Sequence, residues 1–174
     1  RGTMDRFRAM RPLEIWVHTP ERPIVLDSAF WDGTRLVFPD GDGWNLWRSY
    51  ALDRSIVFNE YTHAFVESVF GPLRNPDVPQ TGAMNEGVAD YFSASAGSAI
   101  NARDGKPEAV VIGEWALPLT KRDISEPRRI DQWDSSATIH ENSRIFSSTL
   151  WELRQRLGGP VADRLVLASL EACV

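Results

Sequence analysis

The sequence has a single cysteine, Cys173, beside its last residue. No internal disulfide can form, so the fold must rest on its core or on bound ions. No apolar run approaches the ~20 residues that a helix needs to cross a bilayer. Cations are not in excess: 19 Lys and Arg stand against 24 Asp and Glu, a net charge of −5. That balance argues against a nucleic-acid surface. No secretory leader is visible at the start, where Arg1-Gly2-Thr3-Met4 reads as a cut point or fusion scar. Internal repeats and low-complexity tracts are also missing.

What remains is ordinary globular usage, 43% hydrophobic and 25% charged over 174 residues. This suits one domain or two small lobes. Seven tryptophans suggest a rigid core, with an aromatic-lined groove as the lesser use. Leu13 to His18 alternates apolar and polar residues, the pattern of a half-buried strand. Ile24 to Phe30 and Thr34 to Phe38 read as two further strands joined by an Asp32-Gly33 turn. Helices are expected over Leu52–Phe70, Glu86–Ile100, His140–Leu157 and from Val161 onward. Asn75 to Gln80 reads as a proline-broken loop, and Ala109 to Gly113 as a short strand. Leu117 to Ser136 shows no regular period and is long for a loop, which points to function. The chain stops inside an apolar helical pattern, so a fragment of a longer polypeptide is expected.

Asn59-Glu60-Tyr61-Thr62-His63 differs by one residue from H-E-x-x-H, in which two imidazoles on one helix face hold zinc beside a glutamate base. By itself a Glu and a His three apart is a common chance pairing. Glu86 follows His63 by 23 residues, with Asp90 four further on, inside Gly82-Ala83-Met84-Asn85-Glu86-Gly87-Val88-Ala89-Asp90. A third segment, Ile139-His140-Glu141-Asn142-Ser143, opens another helix with a histidine. Upstream lie Ser28-Ala29-Phe30-Trp31-Asp32-Gly33 and Phe38-Pro39-Asp40-Gly41-Asp42-Gly43. Together, over roughly residues 25–155, these segments resemble the thermolysin and fungalysin families of zinc metallopeptidases, the gluzincins.

The resemblance implies an α+β, zincin-like catalytic domain over residues 1–174. A small β-sheet lobe fills about 1–50, a helical part about 51–174, and the active-site cleft runs between them. It implies one zinc ion held by His63 and Glu86, with Asn59 at the position of the missing histidine ligand. Glu60 would be the general base and proton shuttle, and Asp90 the acid behind position 59. His140 would stabilise the oxyanion, oriented by Asp134. Arg128 or Arg129 would hold the substrate carbonyl. Ser28, Ala29, Phe30 and Trp31 would form the edge that binds substrate. The implied partner is a peptide or protein substrate, outside the cell. Calcium is possible but not supported: Asp40 and Asp42 read as turn formers, and Ser93 to Ser98 carries no acid where the resemblance would place the calcium cluster. His18 reads as structural, without a companion.

Several departures bear on activity. Asn59 supplies no imidazole, and its amide oxygen is a poor donor for zinc. The tyrosine that thermolysin carries before the glutamate helix is matched by Asp77, and the substrate-binding asparagine by Ser28. Two functions therefore compete: a zinc metalloendopeptidase with an impaired metal site, and an inactive relative that keeps the cleft to bind peptides or proteins. A third, a structural domain of a larger secreted protein, explains the ragged ends but not the motifs.

Overall fold

The structure, a computed structural model, describes residues 13–18, 28–40, 48–71, 78–117 and 119–172. The expected residues 24–27, Gly41–Gly43, Asp77 and Cys173 lie outside them. A three-stranded sheet comes first: β1 (Glu14–Val17), β2 (Phe30–Trp31) and β3 (Arg35–Phe38), in the order β1-β3-β2. β1 runs parallel to β3, with Glu14 opposite Arg35 and Val17 opposite Phe38. β2 pairs antiparallel with β3, Phe30 opposite Val37 and Trp31 opposite Leu36. The expected Asp32-Gly33 turn joins β2 to β3. Asp32 Oδ1 accepts from the Thr34 and Arg35 amides, both at 2.9 Å, and Gly33 takes a φ of 96° that favours glycine.

The helical part holds α1 (Arg54–Phe70), α2 (Pro79–Arg103), α3 (Ile139–Leu157) and α4 (Gly159–Ala172). Asp53 caps α1, its carboxylate accepting from the Ser55 and Ile56 amides. The other Asp53 oxygen takes the Trp115 and Ala116 amides at 3.0 and 2.9 Å, which ties the loop after α2 to the start of α1. Thr138 caps α3, with Glu141 in its first turn and Arg154 and Arg156 in its last, as the helix dipole favours. A two-stranded ribbon, β4 (Val111–Ile112) against β5 (Arg122–Asp123), lies between α2 and α3.

α2 is the axis of the molecule. It packs against α1 on one side and α3 on the other. Its approach to α3 is close enough that a Cβ on Gly87 would lie 2.6 Å from Phe146 Cβ and 3.0 Å from the Ser143 carbonyl oxygen. One core joins sheet and helices through Trp31, Leu36, Phe38, Tyr50, Tyr91 and Trp151. A second cluster packs Val66, Val69 and Phe70 of α1 against Val88 and Leu170.

Three expectations need correction. β1 is exposed at all four residues, not half-buried: Ile15, Trp16 and Val17 face out, and the Arg35 guanidinium stacks 3.7 Å from the Trp16 ring centre. α2 begins at Pro79, inside the stretch read as loop, because proline is tolerated in the first turn, where its missing N–H would have no helical partner. The stretch 117–136 is not structureless; it contains β5 and a 3₁₀ turn at Ile130–Gln132. Among the described tryptophans, Trp31 and Trp151 are core, whereas Trp16 and Trp115 are exposed.

Candidate active site

Helical spacing places Asn59, Glu60 and His63 on the α1 face turned to α2, and all three are buried. Glu86 and Asp90, one turn apart on α2, are buried opposite them. His63 Nε2 lies 3.2 Å from Glu86 Oε2. The same oxygen lies 3.3 Å from His140 Nδ1, brought in by the first turn of α3. Burial pushes the Glu86 carboxyl up. The charge of His63 and the hydrogen bonds from His140 and His63 outweigh it and hold Glu86 well below the usual carboxylate range.

One turn along, Asp90 has no exposed surface. Asn59 Nδ2 donates to its Oδ1 at 2.8 Å; the amide nitrogen must face this way because a carboxylate only accepts. The remaining partners come from a residue that the motifs did not name. Arg122 of β5 donates from Nε to Asp90 Oδ2 at 2.8 Å and from Nη2 to Oδ1 at 2.7 Å. Burial would lower the Arg122 guanidinium, but Asp90 foremost, then Glu86 and Glu60, push it further up. Arg122 sits in the aperiodic 117–136 stretch, where a two-residue strand gives no periodic signal.

The structure does not bring every proposed residue together. Arg128 reaches Glu141 at 3.7 Å, and Arg129 is exposed, so the guanidinium of the buried network is that of Arg122. Asp134 is exposed and its carboxylate accepts from Ser136, not from His140; these bonds hold its carboxyl below the ordinary value. On β2 and just before it, Ala29 and Trp31 are core, Phe30 is half-buried and Ser28 exposed, so the side that can meet a peptide is the main-chain edge. β2 is an edge strand of the described sheet. His18 does have a companion: its Nδ1 lies 2.7 Å from Asp40 Oδ1, on the exposed end of the sheet.

His63 and Glu86 suit zinc: an imidazole nitrogen and a carboxylate oxygen, buried and within reach of one ion. Asn59 turns its Nδ2 to Asp90 and offers only an amide oxygen, a poor donor for zinc, in place of an imidazole. Among the described residues no group of three His, Cys, Asp or Glu side chains is arranged to hold a metal ion. The residues present thus fit a two-ligand zinc site and not a three-ligand one.

No family model matches the chain. It is 34% identical over 67 residues to an extracellular metalloprotease of Pectobacterium carotovorum subsp. carotovorum, covering 38% of this chain and 18% of that one. It is 39% identical over 69 residues to the bacillolysin of Brevibacillus brevis, covering 39% and 12%. A bacillolysin of Bacillus cereus aligns over 157 residues at 26% identity, covering 82% and 26%. The alignments therefore span about a quarter or less of those relatives' own length. Among solved structures, the protealysin precursor, a metalloproteinase from Serratia proteamaculans, shares the fold with a TM-score of 0.60 at 20% identity, over 86% of this chain and 55% of that one. In motif order, in partial sequence identity and in fold, the chain resembles the thermolysin-like gluzincin group.

Proposed function

We propose that the chain is the catalytic part of a secreted zinc metalloendopeptidase whose metal binding is impaired by Asn59. The observation that carries this reading is the meeting at 3.2 Å of His63 and Glu86, 23 residues apart in sequence and on separate helices, with Glu60 buried on the same helix as His63. His63 and Glu86 would hold the ion; bound zinc would supply a Lewis acid and an acidified water. Glu60, at the same cleft wall, accepts the proton of the attacking water at its carboxylate and returns it to the leaving amine. His140, with its side chain 47% exposed at the start of α3, can leave Glu86 and donate to the oxyanion of the tetrahedral intermediate. The main-chain edge of β2 receives an extended peptide as an added strand. Relatives named as extracellular support action outside the cell. No helix among the described residues is long and apolar enough to cross a membrane.

The test is zinc content and casein hydrolysis for the chain as it stands and for Asn59→His. The parent should hold zinc weakly and hydrolyse slowly. Losing even an outer partner of a ligand costs ~10–100-fold in affinity, so restoring a ligand should gain at least that. If Asn59→His binds no more zinc and cleaves no faster, the peptidase reading fails, and the cleft is a binding surface only.

A further inference from the structure

Glu86 Oε2 is the meeting point of three helices. His63 Nε2 of α1 lies 3.2 Å from it and His140 Nδ1 of α3 lies 3.3 Å from it, while Glu86 itself stands on α2. Both contacts are long for hydrogen bonds to a buried carboxylate. One turn along, Asn59 and both nitrogens of the Arg122 fork approach Asp90 to 2.7–2.8 Å. The spacing around Glu86 suits a different arrangement. Zinc binds nitrogen and oxygen at about 2.0–2.2 Å, and two corners of a tetrahedron with the shortest such bonds are about 3.3 Å apart. Each imidazole nitrogen is thus spaced from the carboxylate oxygen much as two ligands of one ion are. Asp90 is no rival for the vacant ligand place, since both its oxygens are engaged by Arg122.

We infer that His140 takes the ligand place left by Asn59, so that a zinc-type divalent ion is held in this chain by His63 Nε2, Glu86 Oε2 and His140 Nδ1. The inference rests on the proposed function for its metal and on the geometry of Glu86 for its third ligand. Among the described residues the three do not yet enclose an ion. A ring movement must close the set, and His140 is placed to make it. Its side chain is 47% exposed, whereas those of His63 and Glu86 are 4% and 5% exposed. Either nitrogen of a neutral imidazole can bind a metal, and His140 turns Nδ1 to the site. Two imidazoles and a carboxylate, with a fourth place for water, make a complete catalytic donor set. The compensation is partial, because His140 must leave its resting position to bind. A ring that holds the ion also cannot donate to an oxyanion, which adds a second reason for slow hydrolysis by the parent.

The chain has three histidines, His18, His63 and His140, so the imidazole ligands can be counted directly. In the first arm, imidazole ¹⁵N shifts of the parent chain are followed by NMR as Zn²⁺ is added, each ring assigned through its own backbone. His63 and His140 should move together to the shifts of metal-bound nitrogen. His18, paired with Asp40 on the sheet, serves as the internal reference. A response of His63 without His140, or of neither ring at millimolar Zn²⁺, would overturn the inference. In the second arm, Zn²⁺ and Co²⁺ affinities are read by competition with a chromophoric chelator for the parent, His140→Ala, Asn59→His and the double variant. His140→Ala should weaken binding by at least ~10–100-fold in the parent. Beside Asn59→His it should change binding little, because the restored imidazole fills the place. Equal losses in the two backgrounds would overturn the inference. If Asn59→His binds no more zinc than the parent, the proposed function has failed, and the count made on the parent still decides the role of His140.

Discussion

Glu86 and Asp90 sit one turn apart on the same helix and are buried alike, at 4% and 0% exposure, but they keep different company. Glu86 meets two imidazoles, His63 and His140, through one oxygen. Asp90 meets a guanidinium through both, plus an amide. An imidazole can donate or accept and can change partners. A guanidinium only donates and does not deprotonate. One acid therefore lies at an end of the site that can rearrange, where His140 is half-exposed; the other lies at an end that is fixed. Buried charge survives at the fixed end because it is matched in geometry as well as sign.

Three experiments can break or sharpen this contrast. The largest effect is expected from Arg122→Met. It strands a fully buried Asp90, and removing one partner of a buried pair costs about 3–5 kcal/mol. Adding Asp90→Asn should recover much of that loss, since no uncompensated charge remains. At the other end, His140→Ala should cost only about 0–1 kcal/mol, because its ring is part-exposed and its pairing with Glu86 is solvent-screened. Chemical denaturation of the four proteins checks the ranking. If His140→Ala and Arg122→Met were equally damaging, the division into a fixed and an exchangeable end would be lost.

A middle-sized effect should come from Gly87→Ala. Gly87 lies between the two acids, and its missing side chain lets α2 approach α3 until Glu86 meets His140. A methyl group there would press on Phe146 and on the Ser143 carbonyl, which belongs to helix backbone and cannot step aside. Overpacking of this kind costs roughly 1–3 kcal/mol. Pushing the helices apart should also free His140 from Glu86 while leaving the Arg122–Asp90 pair intact. A crystal structure of the variant with the His140–Glu86 distance unchanged would contradict the positioning role given to Gly87.

The same contrast separates what was legible in the sequence from what was not. Glu60, His63, Glu86 and Asp90 stand at fixed helical offsets. The 3.6-residue period carries such offsets directly into space, and the pairing of Asn59 with Asp90 follows from it. His140 announced itself as the opening residue of a helix. Arg122 did not, because its position comes from a two-residue strand whose register is set by tertiary packing. Arg128 and Arg129 lay nearer His140 in sequence, but nearness along an irregular segment carries little information about direction. Likewise the apolar residues of β1 record what a strand could bury, and they stay exposed. Pro79 misled in the opposite way: it reads as a breaker in a loop and serves as the first residue of the longest helix.

The smallest expected effect concerns Tyr91, the residue after Asp90, and shows where base sensitivity resides on this helix. Tyr91 leads away from the site. Its ring packs edge-on to Trp151, and its hydroxyl donates to Asp163 at 2.7 Å, where Ser95 and Arg154 also donate. Burial foremost, then the hydrogen bond to Asp163, raise the Tyr91 hydroxyl well above the ordinary tyrosine range. A raised folded-state value means that the fold favours the protonated form. The stabilisation is fully present below the unfolded value of about 10 and is lost as pH climbs from there toward the folded value. The Arg122 guanidinium is pushed up too, so the Asp90 end should hold over the same range. Tyr91→Phe should cost about 1 kcal/mol at neutral pH, the worth of one hydrogen bond. Above about pH 10 the variant should lose stability with a shallower slope than the parent, and the two curves should converge. Urea midpoints measured at several pH values from 8 upward would show this. Parallel curves would mean that the alkaline loss comes from elsewhere, and that the face of α2 behind Asp90 is as firmly fixed as Asp90 itself.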